Sequence, residues 1–243
     1  MSPRRFFLST PPADSKAVLR GNEAHHLVHV LRAEPGSIVE LIDGSGRVWR
    51  GTVREIVGDS VELERIEVVV QGHSVTPQIG LIQSLCRADR LEWILQKTTE
   101  LGISEIYLLE AVRSVIKIPE ERIEGKMHRW QKIILAAAKQ CRRNTLPVLH
   151  PPAHADTICK AVTADLKLVL SESKPDSSLK RILRESALNS VVFSIGPEGG
   201  WTAQEKESFL RAGFRPASLG SNILRTETAA IVATALLKYE LED

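Results

Sequence analysis

From residue 79 onward the chain alternates short, continuously apolar runs with amphipathic helical stretches, and no other feature constrains the fold as strongly. Residues 79–85, 106–109, 166–170 and 191–195 read as strands by length and β-branched content, with a short fifth at 217–219. Residues 89–101 (capped by Asp89 and ended by Gly102), 119–141, 177–187, 202–212 and 226–239 read as the helices between them. Strands without a polar face must be covered on both sides. The pattern therefore predicts an α/β fold, a parallel sheet between layers of helix. Thr202-Ala203-Gln204-Glu205 is a capping box that fixes the start of one helix.

The first 74 residues have a different texture. Runs at 38–42, 48–57 and 61–70 are separated by Asp43-Gly44-Ser45-Gly46 and by the hairpin dipeptide Gly58-Asp59. One helix is expected at 22–32, with Asn22 as its cap and Leu27, Val30 and Leu31 facing inward. This predicts a small β-barrel-like domain, 1–74, ahead of a second domain, 75–243. Composition bounds the rest. Thirty-two Lys and Arg against 30 Asp and Glu exclude a basic tail protein and an acidic disordered one. Aromatic residues at 5% argue against a surface paved with stacking rings. Cys86, Cys141 and Cys159 form no CxxC pair, so neither a disulfide framework nor a thiolate zinc site is supported, and a reduced, cytoplasmic chain is expected. The N-terminal apolar run is too short for a signal peptide. The longest apolar helical run, 228–237, is too short for a membrane span, so no membrane partner is expected.

Three segments carry chemistry. Ile195-Gly196-Pro197-Glu198-Gly199-Gly200-Trp201 lies beyond the carboxyl end of a buried strand, where open α/β sheets bind ligands. Its glycines let backbone approach a ligand closely. It is neither a P-loop, lacking the trailing Lys-Ser/Thr, nor a G-x-G-x-x-G turn after the first strand. Leu219-Gly220-Ser221-Asn222-Ile223-Leu224-Arg225-Thr226-Glu227-Thr228 leads into the last helix. Thr226 or Thr228 can cap that helix and Glu227 suits its N-terminus, but Arg225 opposes the helix dipole, which points to a role outside helix stability. Residues 113–143 hold nine basic side chains against three acids on a chain of net charge +2. They end in Arg142-Arg143-Asn144, donors suited to phosphates. His25 and His29 have zinc-gripping i, i+4 spacing but no HExxH pattern or third ligand, so no metal is expected. Cys86 reads as a small buried hydrophobe.

These motifs resemble those of the bacterial 16S ribosomal RNA (uracil-N3)-methyltransferase family, of the SPOUT class of trefoil-knotted methyltransferases. The two C-terminal segments carry most of the resemblance. It extends to Arg90-Leu91-Glu92-Trp93, Gln96-Lys97, Glu100-Leu101-Gly102, Arg113-Ser114 with Lys117, Trp130-Gln131-Lys132 and Gln140-Cys141-Arg142-Arg143-Asn144. In the first domain Val30-Leu31-Arg32, Pro35-Gly36 and Asp43-Gly44 resemble the family's PUA-like RNA-binding domain. Lys139 stands where an acid is common, and Arg142 and Ala88 where glycine is.

The resemblance implies a PUA-like β-barrel domain followed by a knotted α/β methyltransferase domain that acts as a homodimer, with active sites at the subunit interface. It implies an S-adenosyl-L-methionine site made by Leu170, Ser171 and Glu172, by Ile195, Gly196, Pro197, Glu198, Gly199 and Gly200, and by Leu219, Gly220, Ser221, Ile223 and Leu224, with Thr228. The expected partner is 16S rRNA in the assembled small ribosomal subunit. Methylating uracil N3 requires loss of the imide proton, and a cation stabilises the anion that forms. Arg225, with Arg113 or Arg87, suits that role. Glu198 or Glu227 can orient the base or accept the proton, although helix N-terminal charge explains Glu227 equally well. RNA contact is assigned to Arg4, Arg5, Arg32, Arg87, Lys97, Arg113, Lys117, Arg142, Arg143 and Asn144. Three alternatives are weighed: a knotted methyltransferase for transfer RNA or a ribose hydroxyl, a non-catalytic RNA-binding factor, and a nucleotide hydrolase. The N-terminal match, the intact glycines with Arg225, and the missing P-loop lysine count against them in turn.

Overall fold

A computed structural model describes residues 4–72, 77–171, 179–183 and 188–241. The chain divides into two compact units, Met1–Ser74 with Ala138–Leu146, and Val75–Ala137 with Pro147–Asp243.

In the first unit β1 (Arg4–Phe7), β2 (Ala17–Arg20), β3 (Ile38–Ile42), β4 (Val48–Val57) and β5 (Ser60–Val70) form one sheet in the order β1-β3-β4-β5-β2. β1 runs parallel to β3 and the other pairs are antiparallel. Among the described residues β1 and β2 do not pair with each other, so the expected barrel is an open five-stranded sheet. Gly58-Asp59 joins β4 to β5 as the dipeptide predicts. Phe6, Leu19, Leu27, Leu41, Trp49 and Val61 form the core.

The helical segment departs from expectation. α1 (Gly21–His25) passes into a π-helical turn at His26–Val30, and its cap position is Arg20, without a side-chain cap, rather than Asn22. The wider turn keeps Leu27 buried and leaves Val30 61% exposed.

The segment Ala138–Leu146, expected in the second domain, belongs to the first unit. Specific bonds hold it there. Lys139 Nζ lies 2.7 Å from Glu23 Oε1, Arg5 Nη1 donates to Asn144 Oδ1 at 2.8 Å, and Leu146 N donates to Gly44 O at 3.1 Å.

In the second unit β6 (Gln78–Ser84), β7 (Glu105–Leu109), β8 (Val148–Ala153), β9 (Leu166–Leu170), β10 (Ser190–Ile195) and β11 (Arg215–Ala217) form a sheet in the order β11-β9-β10-β6-β7-β8. Every pair is parallel. The helices are α2 (Ala88–Glu100), α3 (Glu120–Gln140), α4 (Ala155–Ala161), α5 (Leu179–Leu183), α6 (Ala203–Arg211) and α7 (Thr226–Leu241). Alternation along β6 covers both faces. Ile82 packs in a cluster with Ile158 of α4 and Phe209 of α6. Its neighbour Gln83 points the other way and donates to Thr226 Oγ1 at 3.0 Å, at the start of α7. α7 packs against α2, β6 and β10.

β8 and α4 are absent from the sequence expectation. β8 is an edge strand carrying Pro151 and Pro152, and proline lacks the N–H that an interior strand must donate. α2 starts one residue before Asp89, which lies in the first turn, while Arg87 occupies the cap position. Of the helix expected at 177–187 the described part is α5, and 177–178 and 184–187 lie outside the described residues. Among the described residues no helix is long and apolar enough to cross a membrane.

Candidate active site

Both glycine-containing loops and the end of β9 line one cavity of about 620 Å³ at the carboxyl edge of the sheet. That volume suits a small organic ligand. Leu170, Ile195, Leu219, Ile223 and Leu224 provide apolar wall, and Ser171, Asn222 and Thr226 add polar groups.

Trp201 ties two of these segments together. Its indole Nε1 donates to Leu170 O at 2.9 Å, its ring packs edge-on to Phe209, and it is buried. Gly196 permits this arrangement, because a Cβ there would lie 2.9 Å from the indole. Gly220 adopts φ +128, and a Cβ there would meet nothing within 4 Å, so bare backbone borders open space.

Charge is distributed unevenly around the cavity. Among the described residues Arg90, Arg113, Lys206 and Arg225 line it against one carboxylate, that of Glu198. Arg90, in the first turn of α2, bonds Glu198 and approaches Glu227 Oε2 at 3.9 Å. Arg113 Nη1 donates to Gly199 O at 3.1 Å. Among the described residues neither Arg225 nor Lys206 forms an ion pair. The Cys86 thiol is pushed up to about 12 by burial first and then by Glu227 and Glu198. Burial and these carboxylates favour the protonated thiol over the nucleophilic thiolate.

Most of the residues assigned from sequence to the ligand site line the cavity. The exceptions are specific. Gly199 offers its carbonyl to Arg113 instead, and Ser221 and Thr228 are exposed outside the lining. Glu227 turns away: its Oε2 is buried without a hydrogen-bond partner. Glu172 lies outside the described residues. The sequence missed Arg90, Trp201, Lys206, Ser218, Asn222, Thr226 and Ala229. Asn222 and Thr226 sit inside the second loop and Trp201 directly follows the glycines, so position alone could have found them. Arg90 has no local signal, because its partners lie more than 100 residues away.

The proposed RNA contacts divide. Arg4, Arg32, Lys117 and Arg142 are exposed. Arg5 is bonded to Glu40 and Asn144 within the first unit. Lys97 pairs with Glu100 at 2.8 Å, and Arg87 with Asp89 at 3.4 Å. Arg143 Nε donates to Thr145 Oγ1 at 3.0 Å, and burial pulls its pKa below the usual arginine value. The His25 and His29 rings lie 4.6 Å apart, and the described residues contain no group of three or more His, Cys, Asp or Glu able to hold a metal.

The chain is similar to known proteins along nearly all of its length. The model of an RNA methyltransferase domain matches residues 74–238, and that of an RNA methyltransferase PUA domain matches 19–64. Ribosomal RNA small subunit methyltransferase E of Bacillus subtilis is 30% identical over 92% of this chain and 90% of its own length. The Synechocystis protein of the same name is 31% identical over 95% of this chain and 75% of its own. The crystal structure of that methyltransferase from Neisseria gonorrhoeae, bound to S-adenosyl methionine, superposes with a TM-score of 0.84 at 31% identity, covering 98% of both chains.

Proposed function

The chain belongs to the RNA methyltransferase family, and on that premise we propose that it transfers a methyl group from S-adenosylmethionine to N3 of a specific uridine in 16S rRNA. The observation that carries this reading is the convergence of both glycine loops on one cavity that also presents Arg225 free of any ion pair among the described residues. The named relatives act on small-subunit ribosomal RNA, and one is solved with the methyl donor bound.

The residues present fit that donor. The apolar wall of Leu219, Ile223 and Leu224 accepts an adenine ring, and the bare backbone at Gly196 and Gly220 supplies hydrogen-bonding groups to its edge. S-adenosylmethionine supplies an electrophilic methyl group. The chain itself holds the two reactants in line, which accounts for much of the acceleration. As the uracil imide proton leaves, charge spreads onto the flanking carbonyl oxygens. Arg225 and Arg113, both lining the cavity, stabilise that charge. Glu198, the one lining carboxylate among the described residues, orients the base, with Arg90 holding it from α2.

The finer features belong to the same proposal. After β11 at the sheet edge the chain returns to pack α7 on β6 and β10, a route compatible with a trefoil knot. The protein acts in the cytoplasm as a homodimer, on assembled small subunits. Arg4, Arg32, Lys117 and Arg142 contact RNA phosphates.

The test is a methylation assay with labelled S-adenosylmethionine and small subunits lacking the modification, followed by digestion to nucleosides. Labelled 3-methyluridine is the expected product. A different methylated nucleoside moves the substrate. No transfer, together with no cofactor binding by calorimetry, replaces this reading with a non-catalytic RNA-binding one.

A further inference from the structure

We propose that Glu205 is a positioning residue that sets Arg113 in the cavity. A capping box is ordinarily a local device in which the glutamate accepts the N–H of its own cap residue. Glu205 does this with Oε2 alone, which accepts Thr202 N at 2.9 Å and Thr202 Oγ1 at 2.7 Å. Its other oxygen has a distant use: Oε1 accepts Val112 N at 2.8 Å, across 93 residues of sequence. Glu205 is only 5% exposed. A buried carboxylate persists where its lone pairs are filled, and these are filled from two segments.

The bonds form a closed circuit around the cavity wall. Glu205 holds Val112. The next residue, Arg113, donates to Gly199 O at 3.1 Å, and the chain runs from Gly199 through Trp201 and Thr202 back to Glu205. On either side of Val112 and Arg113 the chain is held by other means: Ala111 and Ser114 are buried, Glu110 N donates to Ala153 O at 2.9 Å, and Ser114 N donates to Ala111 O at 3.0 Å. Val112 is 67% exposed and Val115 74%, so hydrophobic burial does not hold these side chains. Between those buried flanks the Glu205 carboxylate holds Val112 N–H, and through it the glycine loop and Arg113 keep a fixed relation.

This inference rests on the reading of Arg113 as a group acting on the target base, so the test separates the two. E205Q keeps size and one acceptor oxygen, but its amide NH2 must face either Val112 N–H or Thr202 N–H, donor against donor. T202A removes the cap hydroxyl and leaves the Oε1 bond to Val112. Single-turnover methylation of small-subunit RNA is measured for wild type, E205Q, T202A, R113A and E205Q/R113A, all below the lowest melting midpoint. S-adenosylmethionine affinity is measured by calorimetry, and amide exchange is followed in the peptide covering 110–114. R113A is expected to lose about a hundredfold in rate. E205Q is expected to lose about tenfold with unchanged cofactor affinity, to lose nothing further in the R113A background, and to exchange faster at 110–114. T202A is expected to melt lower at wild-type rate. Equal E205Q losses in both backgrounds, a T202A loss as large as that of E205Q, or a wild-type rate for R113A would each overturn the proposal. If the wild-type protein methylates no uridine, the functional reading fails, and unchanged exchange at 110–114 in E205Q would independently overturn the anchor.

Discussion

Placing alanine at Gly196 tests whether the indole of Trp201 is a fixed wall of the cavity. The added Cβ would stand 2.9 Å from Trp201 Cε2 and 3.1 Å from Nε1, inside ordinary contact distance. The ring cannot retreat freely. It is buried, its N–H is bonded to Leu170 O at 2.9 Å, and Phe209 stands 5.1 Å away, centroid to centroid. Overpacking of this kind costs about 1–3 kcal/mol, and loosening the indole bond adds about 1 kcal/mol. The total of about 2–4 kcal/mol corresponds to a fall in melting temperature of about 5–15 °C. S-adenosylmethionine affinity should fall with it, because Leu170, Gly196 and Trp201 all line the cavity. W201F alone leaves the Leu170 carbonyl without its donor, costing about 1–3 kcal/mol, but it makes room beside Gly196. In the W201F background G196A should therefore cost less than about 1 kcal/mol, a coupling of about −1 to −3 kcal/mol. Unfolding of the four proteins measures it. Additivity to within about 0.5 kcal/mol would refute the packing argument.

R225A should lower the single-turnover rate by about 10²–10³ while leaving S-adenosylmethionine affinity near wild type. A full rate would remove Arg225 from the chemistry. The Asp165 carboxylate accepts Asn189 N and Ser190 N, both at 2.9 Å, and these bonds hold its pKa below the usual aspartate value. A depressed folded pKa stabilises above the unfolded value, about 3.9, and that stability is lost as pH falls through the folded one. The melting advantage of wild type over D165N should accordingly shrink below about pH 4, and a constant difference would count against it. Cys86 is 7% exposed and its thiol is pushed up to about 12, so it should resist alkylation in the native protein at pH 8 and react on unfolding. Rapid native labelling of Cys86 would contradict its burial.

The parts of this structure legible in the sequence are those with a local signal. The continuous apolar runs at β6, β9 and β10 mark buried parallel strands, because both faces are covered. The Thr202–Glu205 box marks the start of α6, because its bonds close within four residues. What stayed hidden depends on partners far along the chain. β8 contains two prolines and is tolerated as an edge only once β7 lies beside it. The 138–146 segment continues a helix of the second unit, and distant partners such as Glu23, Arg5 and Gly44 draw it into the first. The same limit applies to the cavity. Its glycine loops announce themselves, whereas Arg90 is a surface-helix arginine until Glu198 and Glu227 are brought to it.

Those two carboxylates are not equivalent, and on the proposed function the difference bears on how the imide proton leaves. Glu198 lines the cavity and its side chain is 45% exposed. Glu227 lies outside the lining, with Oε2 buried 3.9 Å from Arg90 Nε and its charge felt by the Cys86 thiol. Glu227 lies in the first turn of α7 within 3.9 Å of Arg90, and E227Q should lower stability more than rate. Glu198 lines the cavity, but Arg90 already engages its carboxylate. On the proposed function Glu198 orients the base, Arg225 and Arg113 stabilise the developing anion, and the proton passes to solvent. E198Q keeps an oxygen for Arg90 and should stay within about tenfold of the wild-type single-turnover rate. A general base is worth about 10²–10⁴ in rate. An E198Q loss of a hundredfold or more, with intact cofactor binding, would refute this division of roles and make Glu198 the proton acceptor.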